Sequence, residues 1–170
     1  MHLRATVAVP VAALALLLAA PQSGAAPQAR AGTCPEKYLS VRARASTADP
    51  TVVRVSVTNL GSRACTVDHA PTVTFGDLDG AALPQPARGG GAYRLGTGAT
   101  AYATVRTIAD PADPETRRVD TLTVAADPSH WGLSFTWAAL GTKDTIRVWE
   151  PVTTWWQPTA AAADRALGIG

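Results

Sequence analysis

The chain has 170 residues, a formal net charge of +2 and 46% hydrophobic residues, which suits one domain with a real core and leaves no room for two of ordinary size. The near balance of charge argues against a dedicated nucleic-acid binder, which needs a strongly basic face or run. Glutamate occurs only as Glu36, Glu115 and Glu150, histidine beyond His2 only as His69 and His130, and the single methionine is Met1, so metal-ligand clusters and paired catalytic carboxylates have little to draw on and no cofactor is expected.

Arg4 is the only charged residue ahead of an apolar run from Val7 to Ala20, which Pro10 interrupts and Pro21 ends; Ser23, Gly24, Ala25 and Ala26 come next. A charged start, an apolar stretch and small residues in that order are the pattern of a Sec signal peptide. Cleavage is expected near Ala26, which removes Arg4 and takes the net charge from +2 to +1. The run is shorter than the roughly 20 residues that span a bilayer. Cys34 comes after Thr33 and lies behind Pro27, Gln28 and Arg30, too far from the apolar run for a lipidation signal. The expected organisation is a signal peptide over 1–26, a linker over 27–33, a domain over 34–158 and an Ala-rich tail over 159–170. The product is expected to be secreted, without stable membrane insertion, and either released or loosely held at the wall.

Cys34 and Cys65 are the only cysteines. In an oxidising compartment they are expected to pair. The closed loop of about 30 residues would stabilise the fold by roughly 3 to 4 kcal/mol. A redox or metal role is disfavoured because there is no Cys-x-x-Cys spacing and no histidine near Cys34.

From there the chain reads as strands. Leu39, Val41, Ala43 and Ala45 alternate with Ser40, Arg42 and Arg44, and Val53, Val55 and Val57 alternate with Arg54, Ser56 and Thr58, the period of a strand with one wet face. Asn59, Leu60, Gly61 and Ser62 supply turn chemistry. Val73 and Phe75, Tyr93 and Leu95, Ala101 to Arg106, and Leu122 and Val124 predict further strands, with a Pro-rich connector from Asp110 to Pro114. Trp131, Leu133, Phe135 and Trp137 fall on one face of an extended segment, and Ile146 and Val148 predict a last strand ended by Pro151. Only Thr159 to Leu167 offers a short helical period. Seven or eight short strands without crossover helices predict an all-β fold, an antiparallel immunoglobulin-like β-sandwich with one disulfide.

The run Val57-Thr58-Asn59-Leu60-Gly61-Ser62-Arg63-Ala64-Cys65-Thr66-Val67, followed by Pro71, Val73 and Gly80, resembles the core motif of a secreted family catalogued as domain of unknown function 4232. Leu95, Gly98, Ala101, Ala103 and Val105 resemble that family's next strand, and Cys34 matches the cysteine ahead of its first. The similarity runs roughly from Thr33 to Pro151. Thr97, where the family often has proline, and the Trp155-Trp156 end depart from the pattern. The resemblance implies a secreted sandwich domain of high-GC Gram-positive bacteria and carries no activity with it.

Candidate chemistry is sparse. Asp77-Leu78-Asp79-Gly80 resembles half a calcium loop, but Arg88 stands where the far glutamate is expected, so an ordinary hairpin turn is predicted. Asp68 and His69 could be imagined with Ser62 or Ser46 as a triad, yet there is no Gly-x-Ser-x-Gly elbow. A non-enzyme is expected. Arg42, Arg44, Arg54 and Arg106 lie on the polar sides of their strands and form a candidate basic face for anionic wall polymers or headgroups, with a merely solvated face as the plainer reading. Trp131 and Trp137 are assigned to the core. Trp149, Trp155 and Trp156 form a candidate outward patch for a protein or a cell-wall glycan; the alternative is that the C-terminal segment folds back and buries them. The expected function is a non-catalytic binding module of the cell envelope, and a monomer is expected. The alternatives are a structural or stress-tolerance protein without a discrete site and, less favoured, a hydrolase.

Overall fold

Where β-branched residues alternate with polar ones, one face of a strand is driven out of water and the other is left in it. The computed structural model describes residues 31–87, 90–110 and 112–169. The expected signal peptide and linker residues 27–30 lie outside the described residues, as does Arg88. A 3-10 turn (Glu36–Tyr38) leads into β1 (Leu39–Ala45), then β2 (Val52–Asn59), β3 (Cys65–Val67), β4 (Thr72–Phe75), β5 (Leu83–Gln85), β6 (Tyr93–Leu95) and β7 (Thr100–Arg106). The second half holds β8 (Arg117–Val119), β9 (Thr121–Ala125), β10 (Leu133–Thr136), α1 (Trp137–Leu140), β11 (Ile146–Val148), β12 (Val152–Thr154) and α2 (Ala160–Ala166). Among the described residues no helix is long and apolar enough to cross a membrane.

The strands form a five-stranded sheet in the order β1-β2-β7-β12-β5, a three-stranded sheet β10-β9-β4, and the pairs β11-β8 and β3-β6. Register explains the core. Val53, Val55 and Val57 of β2 stand opposite Val105, Ala103 and Ala101 of β7, so one face of the large sheet is apolar across these two strands. It packs with Val73 and Phe75 of β4 and Leu122 and Val124 of β9 in one buried cluster. Cys34 and Cys65 are bonded, with Cα atoms 4.9 Å apart, and both are buried in that cluster.

The all-β class and the disulfide match expectation, while the strand plan is richer than seven or eight. Twelve strands are present among the described residues, and β12 runs parallel to β5 while pairing antiparallel with β7. Pro151 therefore does not end the last strand. The turn Asp77–Gly80 is not a hairpin turn either: β4 pairs with β9 and β5 with β12, so this turn carries the chain from one sheet to another. The expected tail is part of the domain, because α2 packs on β7 with Ala163 and Leu167 buried. The Thr159 hydroxyl accepts the Ala162 N–H at 3.1 Å and caps the helix start.

The 131–137 segment also departs from its predicted alternation. Gly132 has φ +80°, and a Cβ placed there would lie 2.7 Å from the Val124 carbonyl oxygen. That kink delays the strand to Leu133 and turns Trp131 out of the core, where it is 92% exposed. Leu133, on the edge strand β10, is 50% exposed. Trp137 starts α1 and is partly buried against the core, as expected.

Candidate functional site

The four arginines do share a face. Arg44 stands opposite Arg54 and Arg42 opposite Ser56, while Arg54 lies opposite Thr104 and Val52 opposite Arg106. The face is not free, because α2 lies across it. Asp164 accepts from Arg54 Nε at 2.9 Å and from the Thr104 hydroxyl at 2.7 Å, and Arg106 donates to the Leu167 carbonyl at 3.2 Å. Only Arg42 and Arg44, on the edge strand β1, remain exposed. The expected basic face is thus halved by a helix of the same domain. Asp164→Ala is expected to lower the unfolding free energy by about 1 to 3 kcal/mol, since it strands the buried Thr104 hydroxyl and leaves Arg54 facing Arg44; urea unfolding measures it, and an unchanged midpoint would contradict this account.

The three candidate tryptophans part company. Trp156 is 3% exposed and belongs to the core cluster. Its backbone N–H donates to the His69 carbonyl at 2.9 Å, and the next residue, Gln157, exchanges backbone hydrogen bonds with Tyr102, so the chain after β12 is tied along the sheet and this ring faces inward. Trp155 is half-buried, donates its indole N–H to the Pro86 carbonyl at 2.9 Å and meets the His69 ring edge-on at 5.7 Å. Trp149 is half-buried beside a groove of about 260 Å3 that Asp79, Arg117 and Glu150 also line. Glu150 has φ 46°, a left-handed backbone that non-glycine residues rarely adopt. An outward patch of three rings is therefore not formed.

The ring that faces water is Trp131, and its turn is built to hold it. One carboxylate, Glu36, accepts both the Trp131 N–H at 3.1 Å and the Gly132 N–H at 2.7 Å. Asp127 accepts the Ser129 N–H at 3.0 Å and the Ser129 hydroxyl at 2.6 Å, and its carbonyl takes the His130 N–H. Burial alone would raise the Asp127 pKa, but the Ser129 bonds, the His130 ring and the Asp68 N–H outweigh it and hold the carboxyl below its ordinary range. Sequence alternation missed Trp131. The signal that marks it is local: Pro128, Ser129 and Gly132 punctuate the run around it.

Histidine chemistry is limited to two settings. His69 Nδ1 lies 2.8 Å from Asp68 Oδ1, a chain neighbour, with no serine hydrogen-bonded to either among the described residues. Ser46 lines a different space, a cavity of about 640 Å3 that does not include His69. His130 shares a cavity of about 200 Å3 with Glu36 and Leu133. Among the described residues no group of three or more His, Cys, Asp or Glu side chains is placed to hold a metal ion.

A family model described as domain of unknown function DUF4232 matches residues 34–156. Comparison with curated proteins finds no match, and neither does comparison with solved structures.

Proposed function

The chain belongs to the DUF4232 family, a domain of unknown function, and from that premise we propose that it is a secreted, non-catalytic recognition module that docks a protein at the cell envelope through Trp131. The observation that carries this reading is an indole 92% exposed on a turn whose backbone is fixed by both oxygens of Glu36. An exposed ring on a loose loop would have to be ordered on binding. A ring on a clamped turn loses little freedom when a partner covers it, as an interface hot spot requires. Leu133, half exposed on the adjoining edge strand, extends the apolar contact. An indole flanked by a half-exposed leucine offers a mainly apolar contact, which favours a protein partner.

A second reading rests on Trp149. Its groove combines an indole with Arg117, Asp79 and Glu150 in a space of about 260 Å3, a chemistry that suits one sugar ring. A structural protein without a discrete site has no use for either feature, and the Asp68-His69 pair has no nucleophile bonded to it among the described residues.

Trp131→Ala is expected to leave stability within about 0.5 kcal/mol, since the ring is in water, and to weaken partner capture at least tenfold. The purified protein, Trp131→Ala and Trp149→Ala are compared for recovery of one defined partner from the wall and culture fluid of the producer. Equal recovery by wild type and Trp131→Ala sinks the protein-docking reading; loss of glycan retention in Trp149→Ala alone transfers the function to the groove.

A further inference from the structure

Like charges set directly opposite each other weaken a strand pair, and two such arginine pairs occur among the described residues. Arg44 opposite Arg54 is relieved from within, because Asp164 accepts from Arg54. Arg118 opposite Arg147, in the β8-β11 pair, also has a carboxylate on one member, but that ion pair stands in water, with side chains 59% and 74% exposed against 42% and 16% for Arg54 and Asp164, and is screened the more. Asp144 accepts from Arg118 Nη1 at 3.1 Å. Among the described residues no carboxylate forms an ion pair with Arg147 or with the nearby Lys143. All three cations line the cavity of about 640 Å3, against one carboxylate, Asp144. The same cavity is lined by the hydroxyl residues Ser46 and Thr47. Thr107, which also lines it, keeps a buried hydroxyl with no hydrogen-bond partner.

We propose that this cavity binds a phosphate group, held by Arg118, Arg147 and Lys143. A carboxylate offers one charge and two oxygens, which a single guanidinium fork already satisfies. Three cations with hydroxyls in the same cavity suit a tetrahedral group that carries up to two charges and four oxygens. Asp144 has a place in this arrangement: by fixing Arg118 from one side it orients the guanidinium without neutralising Arg147 or Lys143. The cavity falls within the size range of small-molecule sites, about 300 to 1,000 Å3, so it has room for a molecule that carries the phosphate as well as for the phosphate itself. The site is separate from Trp131 and stands whether or not that ring docks a protein.

Calorimetric titration of the purified protein at low salt and pH 8, with inorganic phosphate and with short poly(glycerol phosphate) as probes, tests the proposal. Saturable binding is expected, weakened at least tenfold in Lys143→Gln/Arg147→Gln and unchanged within about twofold in Arg42→Gln/Arg44→Gln, which alters the exposed arginines of β1. Should the double variant not fold, Arg147→Gln alone, an exposed side chain, carries the comparison. Removing that like-charge pair should leave the thermal midpoint of the ligand-free variant equal to or above that of the wild type, while phosphate no longer raises it. Binding of the polymer alone identifies a diester chain as the source, binding of inorganic phosphate alone identifies a free or terminal phosphate group, and binding of both shows that the phosphate group itself is what the cavity recognises. No saturable binding of either probe by the wild type, or equal affinity in wild type and Lys143→Gln/Arg147→Gln, overturns the proposal.

Discussion

Replacing Cys34 and Cys65 with alanine is expected to lower the unfolding free energy by at least about 3 to 4 kcal/mol. The bond joins residues 31 apart in sequence, so its loss returns the loop-closure entropy of that segment to the unfolded chain. Two buried side chains are also trimmed, which adds a packing loss in the same direction. The consequence reaches the Trp131 turn. Cys34 donates its N–H to the Thr66 carbonyl at 2.8 Å, and the Thr66 N–H donates to the Gly32 carbonyl at 2.9 Å, so the staple fixes the chain just ahead of Glu36. Glu36 in turn holds the backbone of Trp131 and Gly132. Urea unfolding with and without reductant measures the first effect, and partner capture by the reduced protein measures the second. A reduced protein with an unchanged midpoint would mean that the loop is already constrained in the unfolded state.

The strands that the sequence discloses are those whose β-branched residues alternate in isolation. Val53, Val55 and Val57 need only one apolar face to declare themselves, and the structure pairs them with β7 in the register their pattern requires. β12 could not be read this way. Val152, Thr153 and Thr154 are all buried, so they show no alternation, and threonine in the interior is legible only once its partners are known: the Thr154 hydroxyl accepts the Thr104 N–H at 3.0 Å. The tryptophans were illegible for a related reason. Whether an indole faces in or out depends on the backbone of its chain neighbours. A single glycine at 132 turns Trp131 outward, while backbone bonds to His69 and Tyr102 carry Trp156 inward. The arginine face was legible only in part: strand parity puts the arginines on the polar sides of their strands, and the β1-β2 register then sets Arg44 opposite Arg54. Its occupant was not, because Asp164 lies 110 residues from Arg54. Neither the Arg118-Arg147 pair nor its cavity could be seen before β8 was known to pair with β11.

Asn59→Asp should be more damaging than Asn59→Ala, and the difference explains the Asn-x-Gly spacing of Asn59 and Gly61. Asn59 is 1% exposed. Its two amide hydrogens are shared among three carbonyls, those of Arg63 at 2.8 Å, Gly96 at 3.2 Å and Leu95 at 3.3 Å. Its side-chain oxygen accepts the Gly61 N–H at 2.9 Å. One buried amide therefore ties the turn after β2 to the end of β6. Gly61 completes the arrangement, because a Cβ there would stand 3.0 Å from Asn59 Oδ1, so the Asn-x-Gly spacing gives that oxygen its room. Alanine removes all four bonds, the buried one to the Leu95 carbonyl among them, a loss of about 3 kcal/mol. Aspartate keeps an acceptor for Gly61 but sets a second oxygen against three carbonyls, a buried charge with no partner, for which about 3 to 5 kcal/mol is the ordinary penalty. The sign of the pH dependence separates the two variants. A carboxyl held among carbonyls favours its protonated form, so its folded-state pKa rises above its unfolded value, and stability is present below the unfolded pKa and lost as pH rises through the folded one. Asn59→Asp should thus regain stability as the pH falls from about 7 to about 4, relative to Asn59→Ala at the same pH. Parallel pH profiles for the two variants in urea unfolding would show that the turn is held by its glycine and its strand ends, and that the asparagine amide contributes little to it.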